Sequence, residues 1–346
     1  MSLGDLASAP AASPFQRVLA GIRVIDFCWV GAGALVTKLL ADVGAEVIKV
    51  GSRRRPDSLR TAPPFVQDIE GLERSGYFAS RNTSKKSFAL NMKHPAARET
   101  ALGLVRAGDV VANNFCPDVM ERWGLSYDEV AAVNPAIIYL TMPMQGGDGP
   151  HRDFVGFGST ASAGAPAATR TGNRVPGQCP HGVFPCNRTD AWCAIAVGAD
   201  EQWLGLVRVL GSPVWAQDPA LGTLLGRRQR ESEIEQLLAE ETRCFDPWAL
   251  MEELQENGVP AAVVENSRDL VEQDRHLKAR AYWHYPPHDV IGEMAINGPP
   301  FRVDGQLLSP FSAAPLLGQD TRELALELLG YSEADFDELA DSGLFE

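Results

Sequence analysis

Residues 21–50, GIRVIDFCWVGAGALVTKLLADVGAEVIKV, constrain the fold more than any other stretch of this chain. Arg23-Val-Ile-Asp-Phe27 is a short β-branched run, the pattern of a buried strand. Gly31-Ala-Gly33 reads as a turn of small residues. Apolar side chains then recur at helical spacing from Ala34 to Val43, and Gly44 supplies a helix stop. Val47-Ile-Lys-Val50 is a second strand. Strand, turn, helix and strand in succession form one βαβ unit, the building block of a parallel sheet. Its glycines would let a ligand approach the backbone where the helix N-terminus projects free N–H groups. That geometry suits a phosphate, a carboxylate or a thioester carbonyl.

A dinucleotide-binding turn is the first alternative, and the residues argue against it. The third glycine of such a turn would fall at position 36, which is Val36. The acid that would grip a ribose after the second strand is replaced by Gly51. A G-x-G without those partners is a weak signal.

The chain has 346 residues, enough for about two domains, and 45% of them are apolar, as in a globular protein. Its net charge of −14 argues against nucleic-acid or membrane-surface partners. Against that background two basic clusters stand out, Arg53-Arg-Arg55 and Lys85-Lys86. Each reads either as a solvated loop or as a local anion site. The first 15 residues are rich in Ser, Ala and Pro and lack a basic region followed by an apolar core. No apolar run approaches the roughly 20 residues that span a bilayer. The expectation is a cytoplasmic protein whose six cysteines are reduced. Cys28, Cys116 and Cys193 read as small core residues. Cys179 and Cys186 are too far apart for a zinc knuckle, and no H-x-x-x-H is present, so no metal is expected.

Further along, strands are expected at 87–90, 109–113 and 136–141, with a helix over 95–107. Asp118 is expected to cap a helix running to Trp123, and Ser126 with Glu129 forms a capping box. This alternation implies a parallel, doubly wound sheet, which binds ligands at the carboxyl ends of its strands. The segments 28–33, 113–116 and 142–158 are therefore the places to look for a site. Residues 142–182 are rich in Gly, Pro, Ala and Thr. Beyond them strands are expected at 192–197 and 258–265, and helices at 200–210, 231–240, 247–256, 269–279, 320–329 and 332–339.

Several ordered segments carry a resemblance. They include Leu19-Ala-Gly-Ile-Arg-Val-Ile-Asp-Phe27, Leu40-Ala-Asp-Val-Gly-Ala-Glu-Val-Ile-Lys49 and Asn82 with Lys85-Lys-Ser87. Leu90-Asn-Met-Lys93, Asn113-Asn-Phe-Cys-Pro-Asp-Val-Met-Glu-Arg-Trp-Gly124 and Asn297-Gly-Pro-Pro-Phe301 follow, then Ala314-Pro-Leu-Leu-Gly318. In order and spacing the chain resembles the family III CoA-transferases, the CaiB/BaiF family, over nearly its whole length. The family includes formyl-CoA and carnitine CoA-transferases and α-methylacyl-CoA racemases.

The resemblance implies an N-terminal arm at 1–14 and a Rossmann-like large domain from 15–175 and 298–346. A small α+β domain at 176–297 would lie between them, and two chains would interlock as a dimer. It implies coenzyme A or an acyl-CoA as substrate, with a small carboxylic acid as partner. Val30, Gly31 and Ala32 would face the pantetheine and acyl end. Leu90 and Lys93 would flank the adenine and its phosphates. Asn114, Phe115 and Arg122 would hold the pantetheine and phosphate groups, and Arg53 would meet the 3′-phosphate. An acidic chain that binds so anionic a ligand needs its cations concentrated at the site.

The resemblance also implies an aspartate nucleophile that takes the acyl group as a mixed anhydride and then carries CoA as a thioester. That stretch is not found. Thr169-Arg-Thr-Gly172 and Pro176-Gly-Gln178 run almost at once into His181-Gly-Val-Phe-Pro-Cys186, and no Asp lies between Asp153 and Asp190. No catalytic residue is assigned. The expected molecule is a degenerate transferase subunit that acts with a catalytic paralogue in a hetero-oligomer. Alternatives are a self-sufficient transferase or racemase using Asp153, Asp190, His151 or His181, a homodimer in place of the hetero-oligomer, and a non-catalytic CoA-binding scaffold.

Overall fold

The computed structural model describes residues 17–153, 156 and 172–346. The chain packs as two units, Met1–Gly164 with Asp274–Glu346, and Ala165–Gln273.

The first unit begins β1 (Arg23–Asp26), α1 (Val30–Asp42), β2 (Glu46–Gly51), α2 (Gly76–Arg81), β3 (Lys86–Ala89) and α3 (Ala97–Arg106). It continues β4 (Val110–Asn113), α4 (Val119–Arg122), α5 (Tyr127–Val133) and β5 (Ile138–Thr141). The strands form one sheet in the order β3-β2-β1-β4-β5, with every neighbouring pair parallel. This is the mixed α/β, doubly wound architecture that the alternating pattern predicts. Successive strand residues point to opposite faces, and in β1 to β4 both faces are buried, while the edge strand β5 is partly exposed. Ile25, Ile48, Phe88 and Val111 pack into one apolar cluster, while Val24, Val47 and Ala112 pack into another. Burial on both sides is why these strands read as nearly continuous apolar runs. Later helices (Thr321–Glu327 and Glu333–Asp341) return to the first cluster through Leu324, Ala325 and Phe336.

The second unit has a three-stranded antiparallel sheet, β6 (His181–Pro185), β7 (Trp192–Ala196) and β8 (Ala261–Val263), in that order. Helices Asp200–Val209, Glu231–Thr242 and Pro247–Glu256 cover it through Trp203, Leu206, Ile234, Leu238, Leu250 and Leu254. Arg227 is fully buried here, yet each guanidinium nitrogen has a partner: Cys179 O at 2.8 Å, Leu221 O at 3.0 Å and Asp200 Oδ1 at 2.9 Å.

Four local expectations change. The glycines at 31–33 lie in the first turn of α1 and not in a turn before it. The helix starts early because the chain reverses at one residue, Val30, whose φ is +59°. Asp118 does not cap α4 with its side chain; its own φ is +73°, and its carboxylate accepts from Arg152 Nη2 at 2.7 Å. The helix expected over 269–279 breaks in two, because Asp274 stops one and caps the next (Arg275–Ala279) by accepting from the His276 and Leu277 N–H groups. Cys116 is exposed and not a core residue.

Candidate functional site

The strand order reverses at β1. The chain runs β1 to β2 to β3 on one side, then crosses to β4 and β5 on the other. In parallel sheets the loops after two such diverging strands leave a crevice at the carboxyl edge, where ligands bind. Here those are the loops after Asp26 and after Asn113, and they are joined by a single side chain. Asn114 Oδ1 accepts the Trp29 N–H at 2.8 Å, and Asn114 Nδ2 donates to the Trp29 carbonyl at 2.6 Å. The Asn114 amide thus binds protein backbone, where the sequence expects it to hold pantetheine.

The next residue, Val30, is in the left-handed region, a conformation that costs a β-branched residue about 1–3 kcal/mol. It is held there from below. Asp57 Oδ1 accepts the Val30 N–H at 3.2 Å and the Leu59 N–H at 3.0 Å. Lys49 Nζ donates to the Cys28 carbonyl at 2.6 Å and lies 3.0 Å from Asp57 Oδ2. Gly33 is required by close approach: a Cβ there would lie 2.7 Å from Cys28 Cβ and 2.8 Å from Asn114 Cγ. The result is a hydrogen-bonded helix N-terminus with half-buried Gly31 and exposed Ala32 in its first turn.

Behind this turn is a buried ionic network. Lys85 Nζ meets Asp26 Oδ2 at 3.0 Å, Thr37 Oγ1 at 2.7 Å, Asn82 Oδ1 at 2.9 Å and the Ala34 carbonyl at 3.0 Å. Thr37 donates to Asp26 Oδ2 at 2.8 Å, and the Cys28 N–H donates to Asp26 Oδ1 at 2.9 Å. Burial alone would raise the Asp26 carboxyl; Lys85, Lys49 and Thr37 outweigh it and hold the group below its ordinary value. Burial pushes the Lys85 ammonium down, and Asp26 restores only part of that. Burial, with Asp26 adding to it, drives the Cys28 thiol well up, so it is not a nucleophile. Two buried cations thus balance two buried anions, the condition under which buried charge is tolerated.

The aromatic side of the crevice comes from both loops. Phe115 meets Trp29 edge-on at 5.6 Å and Trp123 at 5.3 Å. The Arg55 guanidinium lies 5.6 Å from the centre of the Trp29 ring, within cation–π range. The loops after β2 and β3 carry the other expected residues. Arg53 is exposed and donates through Nη2 to the Leu317 carbonyl at 3.1 Å. Leu90 is buried in the core cluster, while Lys93 is exposed and its N–H donates to Asn91 Oδ1 at 3.2 Å. Arg122 is exposed on the last turn of α4.

The structure therefore brings Val30, Gly31, Ala32, Asn114 and Phe115 together, with Arg53 and Lys93 on the ends of adjacent strands β2 and β3. The Lys85-Lys86 cluster is neither of the things its sequence suggests. Lys85 is in the buried network, and Lys86 sits in β3 and pairs with Glu46 at 3.2 Å and Glu323 at 2.9 Å. Sequence reasoning missed Asp26, Lys49, Asp57 and Lys85. A signal existed for two of them: Asp26 and Lys49 are charged residues inside otherwise apolar strands, and a buried charge needs a partner. Asp57 gave no such signal.

Chemically, the crevice offers helix N–H groups for an oxyanion or carbonyl, an aromatic wall for an apolar arm and exposed cations for phosphates. The described residues include no helix long and apolar enough to cross a membrane. The model of CoA-transferase family III matches residues 19–165 and 159–321. A succinyl-CoA:D-citramalate CoA-transferase from Chloroflexus aurantiacus is 26% identical, the match covering 92% of this chain and 96% of that one. A succinyl-CoA:mesaconate CoA-transferase from Haloarcula marismortui is 30% identical over 88% of this chain and 94% of its own. Among solved structures, a CaiB/BaiF family protein from Brucella suis superposes with a TM-score of 0.75 at 25% identity, covering 90% of this chain and 99% of that one. The alignment with the Chloroflexus enzyme runs over 391 positions, more than the 346 residues of this chain, so that enzyme has residues with no counterpart here. With the family model matching from residue 19 to residue 321, the chain belongs to CoA-transferase family III.

Proposed function

We propose that this chain is the CoA-binding, non-nucleophilic subunit of a family III CoA-transferase, acting on a CoA thioester such as succinyl-CoA and a carboxylic acid. The observation that carries the reading is a contrast. Asn114, Asp57 and Lys49 hydrogen-bond the turn at the strand reversal, yet no Asp stands between Asp153 and Asp190. The family model also restarts at 159–165, within that same interval. The two relatives named above are both succinyl-CoA-dependent transferases, which supports succinyl-CoA as the donor.

In this reading the first unit is the CoA-binding domain. The turn at Val30, Gly31 and Ala32 receives the thioester end, Phe115 lines the pantetheine arm, and Lys93, Arg53 and Arg122 neutralise the phosphates. Asn114 holds the turn in shape. Asp153 and Asp190 are poor nucleophiles. Asp153 is mostly exposed beside Arg152, and Asp190 sits in a turn where it accepts from Trp192 Nε1 at 3.2 Å. Either would attack from water and not from the desolvated position that acyl transfer to a carboxylate requires. The aspartate would come from a paralogous chain, interlocked with this one as a hetero-oligomer.

The test is to assay the purified chain for CoA exchange between succinyl-CoA and a panel of dicarboxylic acids, alone and with a catalytic paralogue. Binding of CoA without turnover, and turnover on adding the paralogue, is the expected result. Turnover by the chain alone, lost on Asp153→Asn or Asp190→Asn, would overturn the reading in favour of a self-sufficient enzyme.

A further inference from the structure

Residues 343–346 are threaded between the loop after β2 and the loop after β3. The Asn91 N–H donates to the Leu344 carbonyl at 2.8 Å, and Asn91 Nδ2 donates to the Gly343 carbonyl at 3.3 Å. Leu344 is fully buried, and Phe345 stacks on Phe336 at 4.8 Å and meets Phe88 edge-on at 5.8 Å. This anchored segment delivers Glu346 to the β2 loop. There Ser52 Oγ donates to its main-chain oxygen at 2.7 Å, and Arg54 grips its carboxylate through Nε and Nη2.

The three consecutive arginines of this loop are thereby distinguished. Arg53 is tied to the Leu317 carbonyl and Arg55 lies over Trp29, whereas Arg54 presents its guanidinium fork to an anion. Both contacts fall on one carboxylate oxygen, Oε2, and an edge of guanidinium N–H donors that holds one carboxylate oxygen can equally take a phosphate oxygen. The pair is open to water, with side-chain exposures of 62% for Arg54 and 46% for Glu346. An exposed pair of this kind contributes little to stability, so a more highly charged anion displaces it readily. The exchange asks only the Glu346 side chain to swing, because Leu344 and Phe345 keep the backbone in place.

We propose that Glu346 is an internal competitor for a nucleotide phosphate. Arg54 is a second phosphate-binding arginine of the β2 loop, beside Arg53, and binding of a phosphate monoester exchanges the Glu346 carboxylate for the ligand. The proposal rests on the CoA reading above and adds to it a residue that tunes affinity.

Calorimetry on the full chain with adenosine 3′,5′-bisphosphate, adenosine and inorganic phosphate tests it. Glu346→Gln is expected to bind the bisphosphate about two- to five-fold more tightly than the unsubstituted chain, the range set by removing an exposed ion pair. Adenosine affinity should not change. In an Arg54→Ala background the bisphosphate should bind more weakly, and Glu346→Gln should have no further effect. Bisphosphate binding that is identical in the unsubstituted chain and Glu346→Gln would overturn the competition while leaving the CoA reading standing. A gain that persists without Arg54 would do the same. Failure of both proteins to bind the bisphosphate or CoA would overturn both. Inorganic phosphate binding as tightly as the bisphosphate would overturn the nucleotide assignment.

Discussion

Asn114 holds Trp29 by both of its backbone polar groups, the N–H at 2.8 Å and the carbonyl at 2.6 Å. One amide side chain thereby fastens the loop after β4 to the loop after β1 and keeps Val30 in its left-handed conformation. Asn114→Ala removes two hydrogen bonds, each contributing about 0.5–1.5 kcal/mol. The expected outcome is a stability loss of about 1–3 kcal/mol by urea denaturation and at least tenfold weaker CoA binding. Asn114→Asp keeps the acceptor and loses the donor, so it should fall between the two. Unchanged CoA affinity in Asn114→Ala would remove the turn from the binding site.

The Lys85–Asp26 pair is fully buried, and breaking such a pair leaves an uncompensated charge that costs about 3–5 kcal/mol. Lys85→Met should therefore destabilise the chain by about that amount. Replacing both, as Asp26→Leu with Lys85→Met, should recover much of the loss, although Lys49 remains near the emptied carboxylate position. Chemical denaturation of the single and double variants gives the coupling directly. A double variant no more stable than Lys85→Met would show that the pair is not the unit that matters.

Much of the first unit is legible because its strands are short runs rich in β-branched residues, too short for helices, separated by segments of helical periodicity. Ser126 with Glu129 and Ser332 with Asp335 form the boxed helix starts that their spacing announces. What stayed hidden depends on contacts far apart in sequence. Asp57 looks like any loop acid until Lys49 and the Val30 N–H are seen against it. Asn114 reads as a ligand contact because nothing local reveals that Trp29, 85 residues earlier, occupies both ends of its amide. The β6 strand is hidden in the sequence because Gly182 and Pro185 weaken its pattern. Phe184 faces the core, but the exposed Val183 between its neighbours gives only one clear alternation.

His288 gives a pH dependence with a definite sign. It is buried, and its Nδ1 accepts the Val290 N–H at 3.2 Å and the Ile291 N–H at 3.1 Å, bonds that only the unprotonated nitrogen can make. Burial lowers its pKa below the ordinary 6.5; Glu73 and Asp289 oppose this and Arg60 adds to it. The unfolded chain therefore binds the proton more readily than the folded one. The stability from neutral His288 is complete above about pH 6.5 and is lost as pH falls through the lowered folded value. Denaturation midpoints measured from pH 8 to pH 5 should fall more steeply for the unsubstituted chain than for His288→Asn, whose amide oxygen accepts without titrating. Parallel curves would assign the acid sensitivity elsewhere.

Cys116 offers a readout of the site itself. It follows Phe115 in the loop after β4 and is exposed, as is Cys244, while Cys28, Cys179, Cys186 and Cys193 are buried. Burial raises the buried thiols, Cys179 to about 11 and Cys193 to about 12, so they resist alkylation as well as being inaccessible. Brief treatment of the native chain with iodoacetamide should therefore label Cys116 and Cys244 and spare the rest, with all six reacting in denaturant. A saturating CoA analogue lacking sulfur should slow labelling of Cys116 several-fold, because a ligand lying along Phe115 covers the adjacent thiol. Cys244 provides the reference rate within the same molecule. Peptide mass mapping separates the two sites, and equal protection or none at either cysteine would place the ligand away from the crevice between β1 and β4.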